Sequence, residues 1–349
     1  MKKQTIFQGA ATALVTPMTA TGAVDYAAME RLINWQIEAG INALVICGTT
    51  GESSTLTDQE HRDVLEFALK VANGRVPMIA GTGSNDTSYA IELTKFACDI
   101  GYDAVLVVTP YYNKTTQKGL IAMFTAIADA STKPVILYNV PSRTGVNIEP
   151  ATYAALAHHP NIAAIKEANG NISKLVETVA LCGDKLDIYS GNDDQIVPIL
   201  ACGGKGVISV LSGVIPTETV AMCDKFFAGD VAGAMALQVK YLDLINALFC
   251  EVNPIPAKAA AAAMGFSSRL SASPHSAHAA YRLSHWANMP PLRTNVGSSS
   301  AAAKAGTHLF FPASFAAAPA RNASPMKLTA FTAYSAGTGS RVIKNRIYW

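Results

Sequence analysis

A lysine stands near the end of an otherwise apolar, β-prone run, Ile162-Ala163-Ala164-Ile165-Lys166-Glu167. Burying an ammonium is costly, so burial drives a lysine toward its neutral form. A neutral amine is the nucleophile for attack on a carbonyl, and the product is an imine. The competing reading is an ammonium that reaches outward to pair with a carboxylate. Similar runs end in other reactive groups. Gly48-Thr49-Thr50-Gly51-Glu52-Ser53 sets two hydroxyls between glycines, which suits a carboxylate cradle and equally suits a capped turn. Thr109-Pro110-Tyr111-Tyr112-Asn113 carries adjacent phenols, either for proton transfer and packing or for a subunit contact. Tyr138-Asn139-Val140-Pro141-Ser142-Arg143 offers a phenol and, farther on, a guanidinium. That guanidinium is fitted to bidentate carboxylate binding or to a structural ion pair. Ser190-Gly191-Asn192-Asp193-Asp194 and Gly206–Val210 supply small residues and backbone carbonyls. No His or further carboxylate joins Asp193 and Asp194 at ligand spacing, so the pair reads as a helix N-cap rather than a metal site.

These groups need a scaffold that brings strand ends together. Eight short apolar runs recur: Ala11–Thr16, Ala43–Cys47, Pro77–Gly81, Ala104–Val108, Pro134–Asn139, Ile162–Glu167, Leu186–Ser190 and Gly206–Val210. Val, Ile and Leu dominate them, as in parallel strands buried on both faces. Amphipathic helical patterns intervene at Tyr26–Ala39, Asp58–Ala72, Tyr89–Ile100 and Gly119–Ala130. Thr57 or Asp58 would cap the second of these. The alternation predicts a (β/α)8 TIM barrel over 1–228, with a doubly wound open sheet as the alternative. Helical patterns at Val231–Leu248 and Pro256–Met264 predict a C-terminal helical addition over 229–266.

Composition limits the function classes. The chain has 349 residues, half of them hydrophobic and 15% charged. No apolar run approaches the ~20 residues of a membrane helix. The N-terminal apolar stretch is interrupted by Gln8, Thr12 and Thr16-Pro17, which fits a strand rather than a secretion signal. The six cysteines form no CxxC pair, and they read as small buried hydrophobes in a reducing cytoplasm. Charge is unevenly spread. Residues 1–266 carry 18 basic against 25 acidic groups, net −7, whereas 267–349 carry nine basic groups and no acid. That Ala/Ser-rich, acid-free basic tail has three readings: a disordered tail, a basic partner-binding tail, or a stretch in an altered reading frame.

Taken together, the segments Gly48–Ser53, Thr109–Asn113, Tyr138–Gly145, Ile165–Gly170, Ser190–Asp194, Gly206–Val210 and Asn253–Lys258 resemble the dihydrodipicolinate synthase family of class I aldolase-like lyases. The likeness runs from about Gly9 to Phe266. It implies that Lys166 forms an imine with pyruvate and that Tyr138 relays protons above it. Thr49 and Tyr112 would complete the relay, Tyr112 entering from a neighbouring subunit of a homotetramer. Thr50 would hold the pyruvate carboxylate and Arg143 the carboxylate of aspartate semialdehyde, while Gly191 and Ile208 border the pocket with their carbonyls. The chemistry implied needs neither a metal nor an organic cofactor.

The same resemblance places Ser53, His61, Asn85 and Tyr111 along an allosteric cleft for lysine, with Ser54 beside them. Asp58 stands where the family often has His, and Tyr89 where it has a lysine-clamping Glu, so weak or absent lysine feedback is expected. The helices that normally close the family's C-terminal domain are not recognisable after Phe266. Two other functions compete: an N-acetylneuraminate or other 2-oxo sugar-acid aldolase on the same fold, and a non-catalytic barrel binding nucleic acid through its basic tail. The expectation is an enzyme with no nucleic-acid partner and no membrane association.

Overall fold

The computed structural model describes residue 3 and residues 5–266; the tail over 267–349 lies outside the described residues. Eight parallel strands close on themselves in sequence order. They are β1 (Gly9–Ala13), β2 (Ala43–Ile46), β3 (Met78–Gly81), β4 (Ala104–Val108), β5 (Val135–Asn139), β6 (Ile162–Glu167), β7 (Asp187–Ser190) and β8 (Gly206–Ser209). β8 returns to pair with β1, from Gly9 opposite Gly206 to Thr12 opposite Ser209. The closed barrel therefore replaces the open-sheet alternative. The first strand starts two residues earlier than the apolar run suggested.

The helices between strands are α1 (Tyr26–Glu38), α2 (Asp58–Ala72), α3 (Thr87–Ile100), α4 (Gln117–Ala130), α5 (Pro141–Thr144), α6 (Pro150–Leu156), α7 (Ile172–Cys182), α8 (Ile196–Ala201) and α9 (Pro216–Phe227). Sequence explains their starts. Thr57 caps α2 by accepting from Glu60 N, and the Glu60 carboxylate accepts from Thr57 N at 2.9 Å. This reciprocal box satisfies two donors that a helix start leaves free.

Alternation along the strands builds two packing layers. Leu44, Ile46, Met78, Val105, Val107, Leu137, Ile165 and Val207 face the helices. Ala11, Ala43, Val45, Ile79, Ala104, Leu106, Ile136, Ala164 and Ile208 face inward. The inner set is rich in alanine, which leaves room for Tyr138 and Tyr189. Phe7 closes one end of this interior by stacking on Tyr189 at 4.2 Å, and the Tyr189 hydroxyl donates to the Phe7 carbonyl at 2.7 Å. The β5–β6 register shifts by one residue, so that Val135 faces Ile162 but Ile136 faces Ala164. Ala163 is the extra residue of a bulge. It allows Ile162 to pack against the helices while Ala164, two residues before Lys166, faces the interior.

The C-terminal addition is present as α10 (Val231–Lys240), α11 (Leu242–Leu248) and α12 (Ile255–Ala263). The single helix expected over Val231–Leu248 is broken at Tyr241, whose φ of −99° and ψ of 8° leave the helical region. Tyr241 is buried, and the turn carries the following apolar residues Leu244, Ile245 and Leu248 into the core. Among the described residues, no helix is long and apolar enough to cross a membrane.

Candidate active site

The strand register brings the lysine and the phenol together. Tyr138 on β5 lies directly opposite Lys166 on β6. The Lys166 Nζ sits 4.3 Å from the centroid of the Tyr138 ring. Only 6% of each residue is exposed. Burial pulls Lys166 down from the usual lysine value of 10.5 to about 7; the Asp193 charge opposes this and the Arg143 charge adds to it. The amine thus lies beside the Tyr138 ring in the barrel interior, largely out of solvent. Burial also raises the Tyr138 phenol, against the opposing influence of Arg143 and a hydrogen bond with Thr49. Amine, phenol and threonine hydroxyl thus form one connected group.

Thr49 and Thr50 follow β2 through a chain reversal. Cys47 and Glu52 both take positive φ, 53° and 60°. Gly81 on β3 must be glycine here, because a Cβ would lie 2.1 Å from the Cys47 carbonyl oxygen. Thr50 is buried, and its Oγ1 accepts from Asn253 Nδ2 at 2.9 Å. That bond uses a lone pair and leaves the threonine proton free to donate. Arg143, exposed on α5, donates to the Asn253 carbonyl at 3.1 Å. Lys258 of α12 pairs with Glu52 at 2.5 Å and is itself 2% exposed. The C-terminal helical addition therefore fastens onto the turn that carries Thr49 and Thr50. Asn253 was contained in the matched segment Asn253–Lys258, yet nothing local marked it as a site residue.

Gly191 lies against β6: its N–H donates to the Glu167 carbonyl at 2.7 Å, and a Cβ would meet the Ala168 Cβ at 2.7 Å. Ile208 is buried with its side chain in the inner layer that also holds Tyr138. Asp193 corrects the helix-cap expectation. It makes no cap bond to its own short helix. Its Oδ2 instead accepts from Val210 N at 3.0 Å and Leu211 N at 2.8 Å, tying β7 to the turn after β8. Ser209 also hydrogen-bonds this carboxylate, and burial raises it; its charge is felt at Lys166.

Tyr112 is not gathered into the pocket of its own chain. It is 92% exposed, with a left-handed φ of 69°. Its neighbour Tyr111 is partly buried. The loop is anchored to α5, since Thr109 Oγ1 donates to Thr144 Oγ1 at 3.0 Å. Of the remaining positions, Ser53 begins a short 3-10 turn and Asn85 accepts from Asn113 Nδ2 through its carbonyl at 2.9 Å. His61 is buried, with Nε2 at 2.9 Å from the Gly81 carbonyl. The two divergent positions engage each other: Tyr89 hydrogen-bonds Asp58, which also accepts from Arg62 Nε at 2.9 Å. Among the described residues, no group of three or more His, Cys, Asp or Glu could hold a metal ion.

Comparison with known proteins gives the same outline. The model of the dihydrodipicolinate synthetase family matches residues 6–280. The 4-hydroxy-tetrahydrodipicolinate synthase of Lachnoclostridium phytofermentans is 55% identical over 262 residues, 75% of this chain and 89% of that protein. The chloride-inhibited dihydrodipicolinate synthase of Acinetobacter baumannii, solved with pyruvate, superposes with a TM-score of 0.78 at 44% identity, covering 80% of this chain and 97% of that one. A monomeric dihydrodipicolinate synthase variant superposes at 0.77 with 40% identity, over 80% and 95%. A closed barrel with a buried amine opposite a buried phenol, joined to similarity over three quarters of the chain, has one reading: this chain belongs to the dihydrodipicolinate synthetase family.

Proposed function

We propose that this enzyme condenses pyruvate with L-aspartate 4-semialdehyde to 4-hydroxy-tetrahydrodipicolinate, through an imine on Lys166, in the diaminopimelate and lysine pathway. The carrying observation is the inward Lys166, brought to about 7 by burial and set 4.3 Å from the Tyr138 ring. Near neutrality its free amine attacks the keto carbon of pyruvate and water leaves. The imine acidifies the pyruvate methyl group, and loss of a proton gives an enamine. The enamine carbon attacks the aldehyde, whose oxygen takes up a proton. The semialdehyde amine then displaces Lys166 from the imine carbon, closing the ring and restoring the free lysine.

Each proton transfer needs a relay. Tyr138 serves as its inner member, and Thr49 links it outward. Tyr112 is the third member, donated by a neighbouring subunit of a homotetramer. Its 92% exposure, outside the pocket of its own chain, supports that assignment. Thr50 donates to the pyruvate carboxylate while Asn253 holds its oxygen. Arg143 receives the semialdehyde carboxylate at the mouth, and the carbonyls of Gly191 and Ile208 border the pocket. No external cofactor is required by this sequence of steps. Position 89 offers a phenol rather than a carboxylate, and Asp58 is already engaged by Tyr89 and Arg62, which supports weak feedback by lysine.

The test is borohydride reduction in the presence of pyruvate, followed by peptide mass analysis. A mass increase on Lys166 is expected, with consumption of aspartate semialdehyde by the unreduced enzyme. An unmodified Lys166 in folded protein would refute the proposal.

A further inference from the structure

Lys166 and Tyr138 face the barrel interior, and each is followed by a polar residue on the opposite face of its strand. Those followers, Glu167 and Asn139, are also in register. Both are buried. Asn139 Nδ2 donates to both Glu167 carboxylate oxygens, at 3.1 and 3.2 Å. Tyr153 of α6 donates its hydroxyl to Glu167 Oε2 at 2.9 Å, and Asn169 N donates to Oε1 at 2.8 Å. Two backbone bonds tighten the same place: Ala168 N to the Asn139 carbonyl at 2.9 Å, and Gly191 N to the Glu167 carbonyl at 2.7 Å.

A buried carboxylate is tolerated only where donors surround it. Here the donors come from β5, from the loop after β6 and from α6. The carboxylate fixes the ends of two strands against each other, directly behind the two reacting side chains. We propose that Glu167, clasped by Asn139 and Tyr153, is a positioning residue that sets the separation between Lys166 and Tyr138 for the proton transfers that follow imine formation.

This inference rests on the imine reading above. Glu167 touches no reacting atom in that scheme, so its influence passes through β6. Burial raises its own carboxyl to about 7, against the bonds from Asn139, Asn169 and Tyr153; above that pH its charge raises the Tyr138 phenol. Glu167→Gln therefore disturbs two measurable things. It places a donor against Asn169 N–H or the Tyr153 hydroxyl, loosening the clasp, and it removes a negative charge behind Tyr138.

The experiment uses the full chain. The Glu167→Gln enzyme is expected to lose about tenfold or more in kcat with the pyruvate KM changed by less than about threefold, since the carboxylate cradle is untouched. The alkaline limb of its kcat profile moves to lower pH. Tyr153→Phe keeps the ring and removes one donor, and it is expected to lower kcat by a smaller factor. The double variant falls no further than Glu167→Gln alone, as expected for two groups in one network. A kcat for Glu167→Gln within about twofold of wild type, with an unmoved alkaline limb, overturns the proposal. If Glu167→Gln does not fold, Tyr153→Phe decides: an unchanged kcat overturns the proposal, and a lowered kcat with constant KM supports it. Borohydride trapping of wild-type Lys166 is run alongside. Failure there refutes the imine reading, and this inference with it; successful trapping with unaffected variants refutes this inference alone.

Discussion

Imine formation should follow the ionisation of a lysine unlike those in solution. An ordinary lysine with a pKa near 10.5 is neutral to about one part in 3,000 at pH 7. Lys166, at about 7, is half neutral there. Burial therefore supplies on the order of a thousandfold more nucleophile than an exposed lysine would. The perturbation is pH. Initial rates of borohydride trapping with pyruvate should rise through a single ionisation centred near 7 and then level off. Asp193→Asn removes the charge that favours the ammonium, so its midpoint moves down; Arg143→Leu removes an opposing cation, so its midpoint moves up. The same shift has a stability consequence. The folded pKa lies below the unfolded one, so between about pH 7 and 10.5 the unfolded chain binds the extra proton. Stability then rises with pH across that window, by at most about 5 kcal/mol from this group. Lys166→Met should abolish that rise in urea unfolding. A trapping rate that climbs tenfold per pH unit up to about pH 10 would mean an ordinary, hydrated lysine, and the argument from burial would fail.

Three further outcomes follow from contacts at the barrel mouth and on α2–α3. Asn253→Ala removes the donor to Thr50, and the pyruvate KM should rise about tenfold with little change in kcat, the worth of one hydrogen bond. Lys258→Met leaves Glu52 without its partner and should cost about 2–4 kcal/mol in urea unfolding, with most of it recovered by adding Glu52→Gln; an unchanged midpoint would show the pair to be idle. Lysine added to the assay should leave activity nearly unaffected below about a millimolar, a free-energy bound of roughly 4 kcal/mol, and half-inhibition well under that concentration would refute the reading of Tyr89 and Asp58.

The barrel was legible because burial on both faces leaves a simple mark. The runs around Ala104–Val108 and Ile162–Glu167 match β4 and β6 at both ends. Lys166 was legible for the converse reason, a cation in a run that water does not reach. What escaped depends on distant partners. The Asp193 pair resembled a helix cap, since short-range sequence holds no record that its acceptor would meet Val210 and Leu211. Asn253 and Lys258 gain their meaning from Thr50 and Glu52, some two hundred positions earlier. The Ala163 bulge was invisible because strand phase is set by pairing with β5 rather than by composition. Tyr111 and Tyr112 are equivalent as sequence, and only the fold separates the partly buried residue from the exposed one.

The fastening of the C-terminal helices to the Thr50 turn also has a meaning in time. A ribosome makes Thr50 and Glu52 about two hundred residues before Asn253 and Lys258. At roughly 5–20 residues per second, the interval is of order ten to forty seconds. In the last part of it, once Ser209 has closed the strand sequence, the lysine, the phenol and both threonines are all present while Thr50 still lacks its donor and Glu52 its counter-ion. The turn that carries Thr49 and Thr50 is thus held in its final form only after synthesis has passed Lys258, so the proposed pyruvate cradle is among the last parts of the barrel mouth to be completed.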